Sequence, residues 1–392
     1  MTNIFLTFLP TAVCLFWSIA TITRLCETRK LHYCALSLFT VTCTVLYWCH
    51  GMFFCHQTTF IPYSDTMYSF CNLAVFPLFF CYITSITSQS KGHYRQTLVW
   101  LIPSFICGIA TGIIYALLSP EETQQFINEY LYNSTFDSLS GKPLLLAYTH
   151  IVCRIVFALQ IPPILLIGSR HIKQFNETVD SMYADTDSKS LYSIHKMLYF
   201  FILTSIFSII FNIVGKHFFA TSIWFLAIPS ILFSCMLYTL GYIGCRHDFT
   251  LEDIENDNGP MYQCNDHVPD QQDTADADTD ISYQPSELRL RIEQIMTEEK
   301  LFLRNNLKLA DLVQALGSNR NYVYNAINKE MGVSFTEYVN RLRIDYACEM
   351  LKQHPNITIL NLSRKSGFTS PVSFYRNFKL YKGCVPKDYE HK

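Results

Sequence analysis

Apolar residues follow two rhythms along this chain. Up to about residue 245 they form near-continuous runs, and beyond residue 285 they recur at three- and four-residue steps between charges. A run of ~20 apolar residues is long enough to cross ~30 Å of hydrocarbon as a helix. Seven such runs are present: Ile4–Ile22, Tyr33–Phe54, Met67–Ile86, Leu98–Leu118, Leu144–Ile167, Met197–Val214 and Ser222–Ile243. The later rhythm is that of amphipathic helices with one buried face. The pattern therefore predicts an all-α chain, with a seven-helix transmembrane bundle at 1–245, a connecting stretch at 246–284 and a helical domain at 285–392.

The connecting stretch has eleven Asp and Glu between His247 and Asp280, no Lys or Arg, and no apolar period. Such a segment cannot bury enough apolar surface to offset its ordering entropy, so it reads as a disordered, self-repelling linker. Asp276, Asp278, Asp280 and Glu287 fit a calcium-loop spacing, but Ile281 stands where the turn needs glycine and Pro285 interrupts the loop. No metal or other cofactor is expected.

Charge then orients the spans. Loops after the first, third and fifth spans and after the last carry Arg24, Arg29, Lys30, Lys91, Arg95, Arg170, Lys173, Lys189, Lys196 and Arg246, whereas the alternate loops carry Lys142 and Lys216. Lys and Arg stay on the cytoplasmic side, which puts the N-terminus outside and everything beyond Arg246 in the cytoplasm. The first span has no basic residue before it and reads as an uncleaved span. Most of the fifteen cysteines lie inside apolar runs, where a thiol acts as a small hydrophobe. Cys55 and Cys71 flank an outer loop and could pair, with two free thiols as the plainer reading.

One charge lies deep in a span. In "AYTHIVCRIVFALQIPP", Arg154 sits well inside the fifth run with His150 one turn earlier. A charge there is costly unless it faces a cavity or a partner. No Asp or Glu falls within the seven runs. Either His150 and Arg154 line a site for an anionic or polar signal, or Arg154 bonds span carbonyls and hydroxyls such as Tyr148 or Ser205 and fixes packing. Pro162 and Pro163 predict a kink at the inner end of the same helix. The outer loop Ser119–Pro143 contains "PEETQQFINEYLYNSTF", which reads as a short surface helix.

Beyond residue 285 the balance turns basic, with seventeen Lys and Arg against eleven Asp and Glu. A basic, helical, cytoplasmic segment makes double-stranded DNA the first partner to test. "SELRLRIEQIM" opens a helix, and two similar passages follow, "LADLVQALGSNRNYVYNAINKEMG" and "ILNLSRKSGFTSPVSFYRNFKLYKG". Leu312 and Gly317 match Leu362 and Gly367; Val323, Ile327 and Gly332 match Phe374, Phe378 and Gly383 one residue further on. Each unit is a short helix, a glycine turn, a second helix and a closing glycine, the rhythm of a helix-turn-helix. Between them "SFTEYVNRLRIDYACEML" predicts a connecting helix capped by Ser334 and Glu337, its face carrying Tyr338, Leu342, Tyr346 and Leu351.

"YVNRLRIDYACEML" followed by "SGFTSPVSFYRNFKLYKGCVPKDY" resembles the signature of AraC/XylS-type bacterial transcription activators, over roughly residues 285–392. The resemblance implies that the second helix of each unit enters the major groove and that the protein acts through RNA polymerase. By position the first unit presents Arg320, Asn321, Tyr324 and Asn325, and the second Ser373, Tyr375 and Arg376. Arg376 suits guanine and Asn321 or Asn325 suits adenine, while Lys329, Ser370 and Lys379 suit phosphate. Pro371 and Val372 offer no donors, so the second unit reads thymine methyls or mainly positions the protein.

No phosphate-cradling glycine loop, phosphorelay kinase pattern or nucleophile motif is present, so no enzymatic activity is expected. The leading reading is a membrane-embedded one-component transcription regulator answering an envelope or membrane signal, with the lipid bilayer, an unidentified signal ligand and a second copy of the chain as further partners. A transporter or membrane enzyme with an appended DNA-binding reporter is the alternative, and a bundle that only anchors is a third.

Overall fold

The computed structural model describes residues 2–56, 58–88, 97–187, 189–191, 206, 223–258 and 285–389. Among them the regular structure is helical, apart from one isolated antiparallel bridge between Tyr183 and Lys308. The chain divides into two compact units. Residues 1–173 with 191–248 form the first, and residues 174–190 with 249–392 the second.

The first unit contains α1 (Thr2–Thr28), α2 (Leu31–Phe54), α3 (Ile61–Thr87), α4 (Ile102–Leu117), α5 (Pro120–Phe126), the first part of α6 (Gly141–Met182) and α7 (Ile223–Arg246). Six helices among the described residues are long and apolar enough to cross a membrane. The expected sixth span, Met197–Val214, lies outside the described residues apart from Ile206, as do Ser205, Lys91, Arg95, Lys196 and Lys216. α1 packs on α2 and α7, α2 on α3, and α3 on α4. α3 is the central helix, with 78% of its apolar window buried against 28% for α4. α4 turns Ile102, Phe105, Ile106, Ile109 and Ile113 outward, an exposed apolar ridge at helical spacing.

Three sequence expectations meet the structure here. Cys55 and Cys71 are both free thiols, the plainer of the two readings, with Cys71 buried inside α3. α6 carries Pro162 and Pro163, where a kink is expected, inside one helix that continues to Met182. The outer-loop helix is present as α5 and continues as a π turn through Tyr132; Ser119 and Glu122 form a reciprocal capping box at its start, and Phe126, Ile127, Tyr130 and Leu131 are buried beneath it.

In the second unit α8 (Leu251–Asn258) lies inside the acidic stretch that reads as disordered from the sequence. Its formation has a local cause: Thr250 N and Oγ1 both bond Asp253 Oδ2 at 2.9 Å, an N-terminal cap, and Ile254 is buried. The remaining linker, 259–284, is outside the described residues. Then follow α9 (Pro285–Glu298), α10 (Leu309–Leu316), α11 (Arg320–Asn325), α12 (Phe335–Gln353), α13 (Ile359–Lys365), α14 (Pro371–Lys382) and α15 (Pro386–Tyr389). Leu288, Ile292, Ile295 and Met296 of α9 are buried as their spacing predicts, and so are Leu312, Leu316, Val323 and Ile327 around the first turn. In the second half Leu362, Phe368, Phe374 and Phe378 join Ile344, Ala347 and Leu351 of α12 in one apolar cluster. The buried stripe of α12 differs from the expected one. It runs Phe335, Val339, Arg343, Ala347 and Leu351, with Tyr338, Leu342 and Tyr346 only half-buried at its edge.

Candidate nucleic-acid interface

The two repeated passages fold as two helix-turn-helix units with matched stops and starts. All four repeat glycines have positive φ: Gly317 60°, Gly332 69°, Gly367 81° and Gly383 71°. These left-handed residues end one helix and re-aim the chain for the next. Gly367 carries a second constraint, since a Cβ there would meet the Leu303 carbonyl oxygen at 2.8 Å, whereas nothing lies within 4 Å of one at Gly317. The second helix of each unit is started by a side chain: Asn319 Oδ1 accepts from Asn321 N at 2.9 Å, and Ser370 Oγ from Ser373 N at 3.1 Å, with Pro371 in the first turn.

The faces so presented agree only partly with the sequence assignment. On α14, Val372, Arg376, Lys379 and Leu380 are exposed and Tyr375 is half-buried, one outward face at helical spacing. Ser373 does not share it. Its residue is buried at 7%, and its carbonyl oxygen accepts from Asn377 Nδ2 at 2.9 Å, since it stands one turn before buried Asn377 at the edge of the packed face that Phe374 and Phe378 occupy. Ser370 is engaged as the N-cap, so the atom assigned to phosphate holds the helix start. On α11, Asn321 is exposed, as is Lys329 in the π turn (Ala326–Glu330) that follows, while Arg320 and Tyr324 are half-buried. Asn325 is half-buried with its Oδ1 fully enclosed. Tyr322 stands out beside Asn321 at 49% exposure, a residue the sequence assignment passed over.

A buried charge organises the unit from within. Arg343 is fully buried on the core face of α12; it donates through Nε to the Phe302 carbonyl and through Nη2 to the Arg304 carbonyl, each at 2.8 Å, and through Nη1 to Asp185 Oδ1 at 3.3 Å. Burial lowers the Arg343 pKa, and the Asp185 charge and hydrogen bond oppose that. Asp185 comes from the segment after α6, far away in sequence. Its other oxygen accepts from Asn306 N at 3.1 Å, and Oδ1 also accepts from Thr369 Oγ1 at 3.3 Å. Two residues on, Asp187 Oδ1 lies 2.5 Å from Arg376 Nη2. The sequence signal for Arg343 was a charge on an otherwise apolar helical stripe; nothing local marked Asp185 or Asp187.

The first unit holds its own polar cluster. Asp65 of α3 is buried, accepts from Tyr115 Oη at 2.8 Å, and lies 2.9 Å from His150 Nε2. The sequence expectation that no carboxylate falls inside a run is corrected here: α3 begins at Ile61, with Pro62 in its first turn, so Asp65 is within the helix. Phe126 and Tyr130 of the outer segment place their rings 5.6 and 5.9 Å from His150, and Arg154 lies 5.9 Å over the Tyr130 ring. Buried His150 and exposed Arg154 thus share the neighbourhood of Phe126 and Tyr130, with the buried carboxylate on His150.

The comparisons with known proteins fall on the second unit. Residues 312–392 match the family model for a helix-turn-helix domain. The C-terminal part of the chain is a helix-turn-helix domain of the AraC type. An uncharacterized HTH-type transcriptional regulator of Staphylococcus aureus is 26% identical over 99 residues, 25% of this chain and 13% of the relative. The HTH-type transcriptional regulator YtdP of Bacillus subtilis is 27% identical over 143 residues, 36% of this chain and 17% of YtdP. The Msm operon regulatory protein of Streptococcus mutans is 27% identical over 85 residues, 22% of this chain and 30% of that protein. The chain thus matches well under half the length of these relatives. No solved structure matches it.

Proposed function

We propose that this chain is a membrane-embedded transcription regulator that binds promoter DNA sequence-specifically through its double helix-turn-helix and answers a signal arising in the membrane or envelope. The observation that carries the reading is the outward face of α14, where Arg376 and Lys379 stand beside Val372 on a helix held by a side-chain cap and a left-handed glycine at either end. Arginine offers a rigid fork to guanine, lysine a point charge to phosphate, and Val372 apolar contact to thymine methyls. Asn321, Tyr322 and Lys329 supply the first unit's polar contacts.

The exposed apolar ridge of α4 and the six long apolar helices favour lipid around the first unit. The basic residues beside those helices favour a bacterial cytoplasmic membrane with the DNA-binding domain inside the cell. In this reading the Asp65, His150 and Arg154 neighbourhood beneath the outer segment is the signal site, and RNA polymerase and a second copy of the chain are the further partners.

The test is selection of duplexes from a random library by the intact chain in lipid nanodiscs. A recurring sequence should emerge, and its affinity should fall by orders of magnitude between about 50 and 200 mM salt. Recovery of DNA with no sequence preference would sink the reading.

A further inference from the structure

We propose that residues 182–187 are an autoinhibitory strap, a segment of the chain's own whose end, Asp187, holds Arg376 at the edge of the DNA-reading face and has to release it before DNA is bound in full. The inference rests on the DNA-binding reading above. Met182 ends α6, and the chain then runs through a single bridge residue, a bend at Ala184 and a turn at Asp187. Tyr183 bridges Lys308, and Ala184 N donates to the Leu307 carbonyl at 3.0 Å, so the backbone is paired to the loop that enters the first helix-turn-helix. Asp185 anchors the strap on Arg343.

Both reading helices are touched on the way. Arg320, the first residue of α11, has Nη2 3.3 Å from Met182 Sδ, and Arg376 of α14 has Nη2 2.5 Å from Asp187 Oδ1. The Asp187 carboxylate is a negative acceptor at the atom best suited to guanine or phosphate, and both of those are also acceptors. A phosphate brought to Arg376 meets like charge from Asp187, and the guanidinium cannot turn its fork to a base edge while it is held. The strap thus sets one exposed carboxylate, Asp187, where a phosphate or base edge would meet Arg376. It is also the direct continuation of the helix that bears His150 and Arg154, so a change at the sensory end has a covalent route to it.

The anchoring pair and the blocking pair differ in exposure, which separates them experimentally. Arg343 and Asp185 have side-chain exposures of 0% and 8%, whereas Arg376 and Asp187 have 61% and 39%. Asp187 can be changed with little effect on folding; Asp185 cannot.

The experiment uses the intact chain in nanodiscs and a duplex enriched from the random library, with fluorescence anisotropy as the readout. Asp187→Ala should bind about threefold to fivefold more tightly than the unaltered chain, the range set by an exposed ion pair. In an Arg376→Ala background the same change should have almost no effect. An equal gain in both backgrounds would mean general relief of negative charge and would overturn the strap, as would no gain at all. Hydrogen exchange gives a readout without mutation: saturating DNA should raise exchange at Asp187 while Tyr183 and Ala184 stay protected, and unchanged or greater protection at Asp187 overturns the proposal. If neither the unaltered chain nor Asp187→Ala binds any duplex at low salt, the DNA-binding reading itself has failed, and the strap with it; binding that appears only in Asp187→Ala supports both.

Discussion

The two helix-turn-helix units share a backbone and differ in what surrounds it. Each has a capped second helix and left-handed glycines at matched positions, yet Gly317 faces open space where Gly367 is pressed against the Leu303 backbone. The first unit fills its turn with aliphatic Leu312, Val323 and Ile327; the second uses Leu362 with the rings of Phe368, Phe374 and Phe378. The comparison teaches that a repeat conserves the path of the chain, while the load each copy bears is set by its neighbours in space.

The largest expected effect is on the aromatic core of the second unit. Phe378→Ala should lower unfolding stability by about 3–5 kcal/mol, and Val323→Ala at the matched core of the first by clearly less, since a smaller cavity is left. Calorimetry of the intact chain would measure both, and equal losses would break the asymmetry. The glycines come next. Gly317→Ala should cost about 1 kcal/mol from its left-handed backbone, and Gly367→Ala about 2–4 kcal/mol because overlap with Leu303 is added.

Binding should separate the units too. Arg376→Ala should weaken a selected duplex by about 1–3 kcal/mol and relax preference at one base, and Asn321→Ala should do the same at a base in the other half-site. A loss at Arg376 that is uniform across sequences would make the second unit a clamp. The two N-caps should be nearly equivalent, with Ser370→Ala and Asn319→Ala each costing about 1 kcal/mol in thermal stability.

The smallest effect is a dependence on acid at Asp257, which pairs with Lys308 at the entry to the first helix-turn-helix. Burial works to raise the Asp257 carboxyl pKa, but hydrogen bonds from Lys308 and Tyr183 and the Lys308 charge outweigh it and hold the carboxyl below its usual range. A carboxyl whose folded pKa is depressed contributes stability that is complete above its unfolded value of about 3.9 and is lost as pH falls through the folded pKa. Asp257→Asn should remove less than about 1 kcal/mol at neutral pH and nothing at low pH, as for a partly exposed ion pair. Calorimetry of the intact chain at both pH values would check this, and an equal loss at low pH would count against the pairing.

Most of the helix-turn-helix domain was legible because its signals are local. The spacing of Leu309, Leu312 and Leu316, the cap residue Ser334, and the glycines between helices act within a few residues of themselves, and each fixed a helix or a turn. Misassignments occurred where a side chain's direction depends on helical phase. Ser373 lies three residues from Arg376 yet faces inward, and the stripe of α12 passes through Arg343 instead of Tyr346. Disorder was expected across 246–284, but a short cap at Thr250 and the burial of Ile254 were enough to form α8.

By itself the sequence determined that this chain is helical, that its first part is apolar enough for lipid, and that its last part carries two copies of one DNA-reading motif. Those are properties of period, composition and nearest-neighbour chemistry. Only the tertiary structure decided where the buried charges find partners: Asp65 beside His150, Asp185 on Arg343, and Asp187 on Arg376. A buried or held charge is stabilised by whichever opposite charge the fold brings within about 4 Å, and that distance bears no relation to separation along the chain.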